Sequence, residues 1–291
     1  MPTRVVAGFL AADHLHVRLF HATEVLIDAS WNDRGVCSAF WRYYVNYRSG
    51  AGVRLADGSL YALPPGAVHL IPAWVTIDLV NHREINHLYA HFDIVGLPGA
   101  IAREVFANPV SLPFDDCLSA TSQAMRAALH VSGTHPRALF ATKSAIDAAI
   151  SALFAQMPAA HGERLAAAMR TDSPVAPALR FIDADPARAL RVSALAGMCG
   201  LGEGQFTRVF HREVGQTPGQ YILERRIAVA AQRLVLGDDP IETIAEQCGF
   251  ADRFYFTRVF TRRMGTPPAA YRRAEPFPRG RPVPAPDGPG A

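Results

Sequence analysis

Two short segments carry the residues best suited to recognition chemistry. Phe206-Thr207-Arg208-Val209-Phe210 returns letter for letter as Phe256-Thr257-Arg258-Val259-Phe260. On a helix, the Phe residues four apart share one face and turn to a core. Thr and Arg between them then point elsewhere. A guanidinium can bond a guanine edge through two hydrogen bonds, and a Thr methyl can pack on thymine. Either Arg alone would suit a solvated face or a phosphate. Two at matched places favour base reading.

A second set lies in the N-terminal half. His87, Tyr89 and His91 alternate along one strand face, opposite Leu88, Ala90 and Phe92. Arg42, Tyr44 and Asn46 form another polar face, opposite Trp41, Tyr43, Val45 and Tyr47. Such groups suit a polyhydroxylated ligand or a solvated surface. His87 and His91 are spaced for a metal, but no acidic partner accompanies them. No metal and no cofactor are therefore expected. Cys37, Cys117, Cys199 and Cys248 have neither metal-ligand nor CxxC spacing. Cys199 and Cys248, at equivalent places in the repeat beside apolar residues, read as small core residues, and a reducing, cytoplasmic setting follows.

The elements that position these residues differ between the two halves. Residues 15–95 read as short strands of a small sandwich or barrel, punctuated by Gly50-Ala51-Gly52, Asp57-Gly58 and Pro64-Pro65-Gly66. Residues 138–157 have helical periodicity; their apolar stripe suits packing on the strands or pairing with a second subunit. The chain is long enough for about two domains. Neither a membrane span nor a signal peptide is expected. The expected boundaries are a first domain over 1–158, a linker over 159–174, a helical domain over 175–274, and a disordered Pro/Gly-rich tail over 275–291.

The repeat extends beyond its five identical residues. Gly215, Pro218 and Tyr221 recur as Gly265, Pro268 and Tyr271, while Leu195-Ala196, Cys199 and Gly200 recur as Ile244-Ala245, Cys248 and Gly249. Each copy reads helix, Gly-containing turn, helix, which is the helix-turn-helix pattern. Thr217-Pro218 starts a helix that would join the copies. Charge agrees: residues 190–273 hold twelve Arg against eight acids, giving +4, whereas 1–172 hold thirteen bases against fourteen acids, giving −1. The excess suits a polyanion.

These residues resemble the AraC/XylS family of bacterial transcription regulators. The similarity is carried by Ile244-Ala245, Gly249-Phe250, Tyr255-Phe256, Phe260, Gly265, Pro268 and Tyr271-Arg272, and it covers roughly residues 175–273. It implies two helix-turn-helix units whose second helices enter successive major-groove segments, about 34 Å apart. The DNA-facing positions it implies are Gly204, Thr207, Arg208, Arg253, Phe254, Thr257 and Arg258. Gly202 and Gly204 depart from the family's capping Ser and larger contact residue, and Phe254 from its small polar residue. Pro267 replaces the usual Ser/Thr cap.

The first half resembles the family's cupin-like sensor, as in the L-arabinose regulator. That similarity places Arg48, His87 and Tyr89 on ligand-contacting positions, with Arg42, Tyr44, Asn46 and His91 as further candidates. The expected fold is α+β, a cupin-like barrel followed by an all-α domain. The expected function is a non-enzymatic, effector-controlled DNA-binding regulator. It would be a homodimer acting on double-stranded DNA, an activator contacting RNA polymerase, with a small sugar as effector. The competing readings are a metal-dependent cupin enzyme with an appended DNA-binding module, and a protein-interaction module.

Overall fold

The computed structural model describes residues 16–168, 173–273 and 281–282. Its first half is built of strands β1 (His16–Ile27), β2 (Asp33–Val36), β3 (Trp41–Asn46), β4 (Ala51–Leu55), β5 (Leu60–Ala62), β6 (Ala67–Ile71), β7 (Ile77–Asn81), β8 (Ile85–Val95) and β9 (Val110–Pro113). They form two antiparallel sheets, one in the order β1-β8-β3-β6-β9 and one in the order β2-β7-β4-β5. Among the described residues the two sheets share no strand, so hydrogen bonding there does not close them into one cylinder. Period-two alternation gives the larger sheet two distinct faces. Trp41, Tyr43, Val45, Leu88, Ala90 and Phe92 face a core shared with helices. Tyr44 and Tyr89 belong to a second core with Ala51, Val53 and Ile77 of the smaller sheet.

Helix α1 (Gly99–Val105) precedes β9, and α2 (Asp116–Val131) and α3 (Pro136–Ala155) follow it. Ala145, Ile146, Ala149 and Leu153 of α3 pack on the sheet. The periodic stripe thus serves intrachain packing. By length and composition alone α3 could cross a membrane, but this stripe is buried in the protein core. Residues 159–168, within the expected linker, form a further helix, α4 (Ala159–Ala168). Residues 169–172 lie outside the described residues.

The second half is helical: α5 (Ala176–Ala184), α6 (Val192–Met198), α7 (Glu203–Val214), α8 (Pro218–Leu236), α9 (Ile241–Gln247), α10 (Arg253–Met264) and α11 (Pro268–Arg273). Phe206 and Phe210 fill one core with Leu195, Ala196 and Tyr221; Phe256 and Phe260 fill another with Ile244, Ala245 and Leu234. Helix α8 serves both, giving Tyr221 and Ile222 to the first and Ile227, Ala230 and Ala231 to the second. Thr217 and Gln220 form a reciprocal capping box at its start. Of the expected disordered tail, most lies outside the described residues. Residues 281–282 form a short strand, β10 (Arg281–Pro282), paired with β1 at Val25 and Leu26.

Candidate DNA-reading helices and a buried polar face

The two recognition-type helices, α7 and α10, repeat one design. Each buries its Phe pair completely and ends at a left-handed glycine, Gly215 or Gly265. Arg208 and Arg258 are exposed, and Thr207 and Thr257 are half-buried beside them. The Thr207 hydroxyl donates to the Glu203 carbonyl at 3.0 Å. Its proton is thereby turned onto the helix, while the methyl and the oxygen lone pairs are not engaged by that bond. Gly204, Arg253 and Phe254 are exposed at the starts of these helices, and Phe254 is 83% exposed. Arg258 lies over Tyr255, 5.5 Å from the ring centroid. All seven sequence-expected positions therefore fall on the outer faces or first turns of α7 and α10.

The copies are unequal at their starts. Asp252 caps α10 by accepting from the Tyr255 amide at 2.7 Å. Gly202 stands at the same place before α7 and offers no side-chain cap.

Arg226 links the two units. Its guanidinium donates to three carbonyls: Pro186 at 2.8 Å, Arg188 at 2.8 Å and Gly249 at 2.6 Å. A residue on α8 thus ties the chain before the first unit to the turn of the second. Gly249 has φ +79°, and a Cβ there would overlap the Ala187 carbonyl. Both features demand glycine.

In the first half, β3 and β8 lie side by side in a register that pairs Arg42 with His91, Tyr44 with Tyr89 and Asn46 with His87. The two polar rows expected as separate faces are therefore one face. All six residues are at most 2% exposed. Arg48 stands apart, exposed beyond the end of β3. His69 on β6, His21 on β1, Trp31 and Ser38 join the buried six; sequence alternation could have flagged His69, which follows Val68 on a short strand.

Burial decides the ionisation of this face. Desolvation, with a smaller push from His69, holds His87 down at about 3, and desolvation places His91 well below the usual imidazole range. Burial pushes Tyr44 up to about 12. Asn46 donates through Nδ2 to the Leu63 carbonyl at 2.9 Å, so its Oδ1 is the acceptor facing His87 Nδ1 at 2.7 Å. His87 Nδ1 thus carries the proton and Nε2 the free lone pair. Buried Nε2 of His87, Nε1 of Trp31 and Nη1 of Arg42 make no hydrogen bond among the described residues. No group of three or more His, Cys, Asp or Glu among the described residues is placed to hold a metal.

The face continues toward the helical half. Asp93, next in the alternation after His91, accepts from Arg225 of α8 at 3.2 Å. Arg225 also pairs with Asp183 at 3.0 Å. Beside it the buried carboxylate of Glu224 takes Arg103 of α1 at 2.8 Å and Arg263 of α10 at 3.7 Å. Ala39 packs into the core of the second unit. Sequence reading missed this junction, because its partners lie as many as 132 residues apart. An open cleft of about 420 Å³ adjoins it, lined in part by Trp74, Thr76, Arg103 and Phe106. None of the expected ligand residues lines it.

Residues 195–274 match the helix-turn-helix domain family. Over 94 residues the chain is 31% identical to the multiple antibiotic resistance protein MarA of Salmonella typhimurium, covering 32% of this chain and 74% of that protein. The chain belongs to the AraC family of DNA-binding transcription regulators. It is 38% identical over 86 residues to the HTH-type transcriptional regulator Rv1931c of Mycobacterium tuberculosis, covering 30% of this chain and 33% of that one. The chain thus spans about a third of the length of several curated AraC-type relatives. The apo form of a ToxT variant from Vibrio cholerae shares the fold, at TM-score 0.50 and 13% identity, over 90% of this chain and 98% of that one. Relatives in this family are named as regulators, in keeping with a non-enzyme.

Proposed function

We propose that this AraC-family regulator is controlled by a small polar effector bound on the buried face of β3 and β8. The observation that carries the reading is that one strand, β8, bears both His87, Tyr89 and His91 and the interdomain Asp93. A ligand that shifts this strand shifts the partner of Arg225, and with it the helix joining the two reading units. Such a ligand acts by favouring one of two pre-existing arrangements. A sugar-like polyol matches the mixture of donors and acceptors on the face.

In this reading Thr207, Arg208, Thr257 and Arg258 contact base edges, while Gly204, Arg253 and Phe254 approach the backbone or thymine methyls. The protein acts in the cytoplasm as a homodimer, and the exposed Val131, Leu139 and Phe140 of the α2–α3 hairpin supply a surface for pairing. Activation through RNA polymerase follows the family resemblance. The test is fluorescence anisotropy with operator selected from a random library, with and without a metabolite panel. Binding that no metabolite alters would remove the effector; binding without sequence preference would remove the base-reading assignment.

A further inference from the structure

Among the described residues, Arg42 is a buried cation with no ion-pair partner. It is 1% exposed, its Nη2 donates to Ser38 Oγ at 2.5 Å, and its Cζ lies 5.2 Å from the Phe40 ring centroid. Its Nη1 has no hydrogen-bond partner, and Arg42 makes no ion pair among the described residues. Among the described residues, the acidic groups that feel its charge are Cys37, Tyr44 and Tyr271, and burial raises all three, so each is neutral near pH 7. His91, opposite it in the register, is held neutral as well. A buried charge left uncompensated is strongly unfavourable.

Two more unmet groups share the face. Among the described residues, Trp31 Nε1 lacks an acceptor and His87 Nε2 lacks a donor. Their rings are 5.4 Å apart, and the Tyr44 ring, 4.5 Å from His87, links them to the Arg42 end. A single hydroxyl can accept from one and donate to the other.

We infer that the effector is a small hydroxylated carboxylate, with its carboxylate on Arg42 and a hydroxyl between Trp31 and His87. This rests on the effector reading above and narrows it from neutral sugars to hydroxy acids. It also places the charged end next to the helical half. Ser38, the partner of Arg42, immediately precedes Ala39 in the core of the second unit, and buried Tyr271 of α11 faces Ser38 and Arg42.

Thermal unfolding of the full chain tests it with matched pairs at constant ionic strength: gluconate against sorbitol, galacturonate against galactose, lactate against 1,2-propanediol. At least one acid should raise Tm by about 2–4 °C or more while its neutral partner does not. Arg42→Met should lose that shift, and without ligand should unfold no lower than the parent. No acid-specific shift, or an equal shift in Arg42→Met, overturns the inference. So does failure of Arg42→Met to fold, which would make the guanidinium a structural group. Trp31→Phe supplies a second variant, expected to weaken the acid's shift while keeping its dependence on charge; an unchanged shift overturns the hydroxyl placement. A neutral sugar that stabilises both proteins and alters operator binding would sink the carboxylate yet keep the effector reading. Operator binding indifferent to every compound would sink the effector reading itself.

Discussion

Asp93 and Arg225 form an ion pair of 3.2 Å that joins the sensor sheet to the helix between the two reading units. Both side chains are buried, and Arg225 is shared with Asp183. Removing one member strands the others in a low-dielectric site. Arg225→Met is expected to destabilise the protein by about 3–5 kcal/mol. Asp93→Asn, which leaves Asp183 in place, should cost less. Urea unfolding measures both, and a loss under about 1 kcal/mol in Arg225→Met would mean that the pair does not form in solution.

Acid should weaken the fold through the buried imidazoles. His87 is held at about 3 and His91 well below its usual value, so both are neutral when folded. The unfolded chain takes up their protons below about 6.5. Stability from these groups is therefore complete above that pH and falls as pH drops toward 3, by up to about 1.4 kcal/mol per pH unit for each His. His87→Gln should flatten the slope of Tm against pH over 4–6. An unchanged slope would place His87 in contact with solvent.

The two reading helices should respond oppositely to substitutions at their starts, one in a cap and one in helix propensity. Asp252→Ala removes the cap of α10 and should cost about 1 kcal/mol. Gly204→Ala should strengthen α7 by roughly 1 kcal/mol, because a Cβ there meets open space. Hydrogen exchange of the amides in each helix reads the two effects separately. A loss of protection in Gly204→Ala would show that glycine is required at that position.

Arg258→Ala should relax base preference at one operator position by about 1–3 kcal/mol, whereas loss of a phosphate contact would weaken all sequences alike. Anisotropy against a set of single-base operator variants separates these. Uniform weakening would reassign Arg258 to the backbone.

Much of the helical half was legible because its signals are local. The Phe pairs at spacing four, the glycines after each helix and Thr217-Pro218 all act within a turn or two of themselves. The alternation in Trp41–Asn46 and His87–Phe92 likewise gave the correct faces of β3 and β8. What alternation cannot give is which strand lies beside which. Only the β3–β8 register merges the rows of Arg42 and His91 into one face, and it leaves Arg48 outside. The junctions of Arg225 with Asp93 and Glu224 with Arg103 connect distant segments, and no spacing in the sequence announces them.

Arg226 spans from Pro186 and Arg188 to Gly249 with one planar, three-point grip. That grip opposes changes in the separation of the two helix-turn-helix units. An operator whose two contacted segments are one base pair too close or too far is poorly met by stretching the chain. The misfit then falls on bending or twisting the duplex, so tolerance to spacer length should follow the deformability of the intervening DNA sequence.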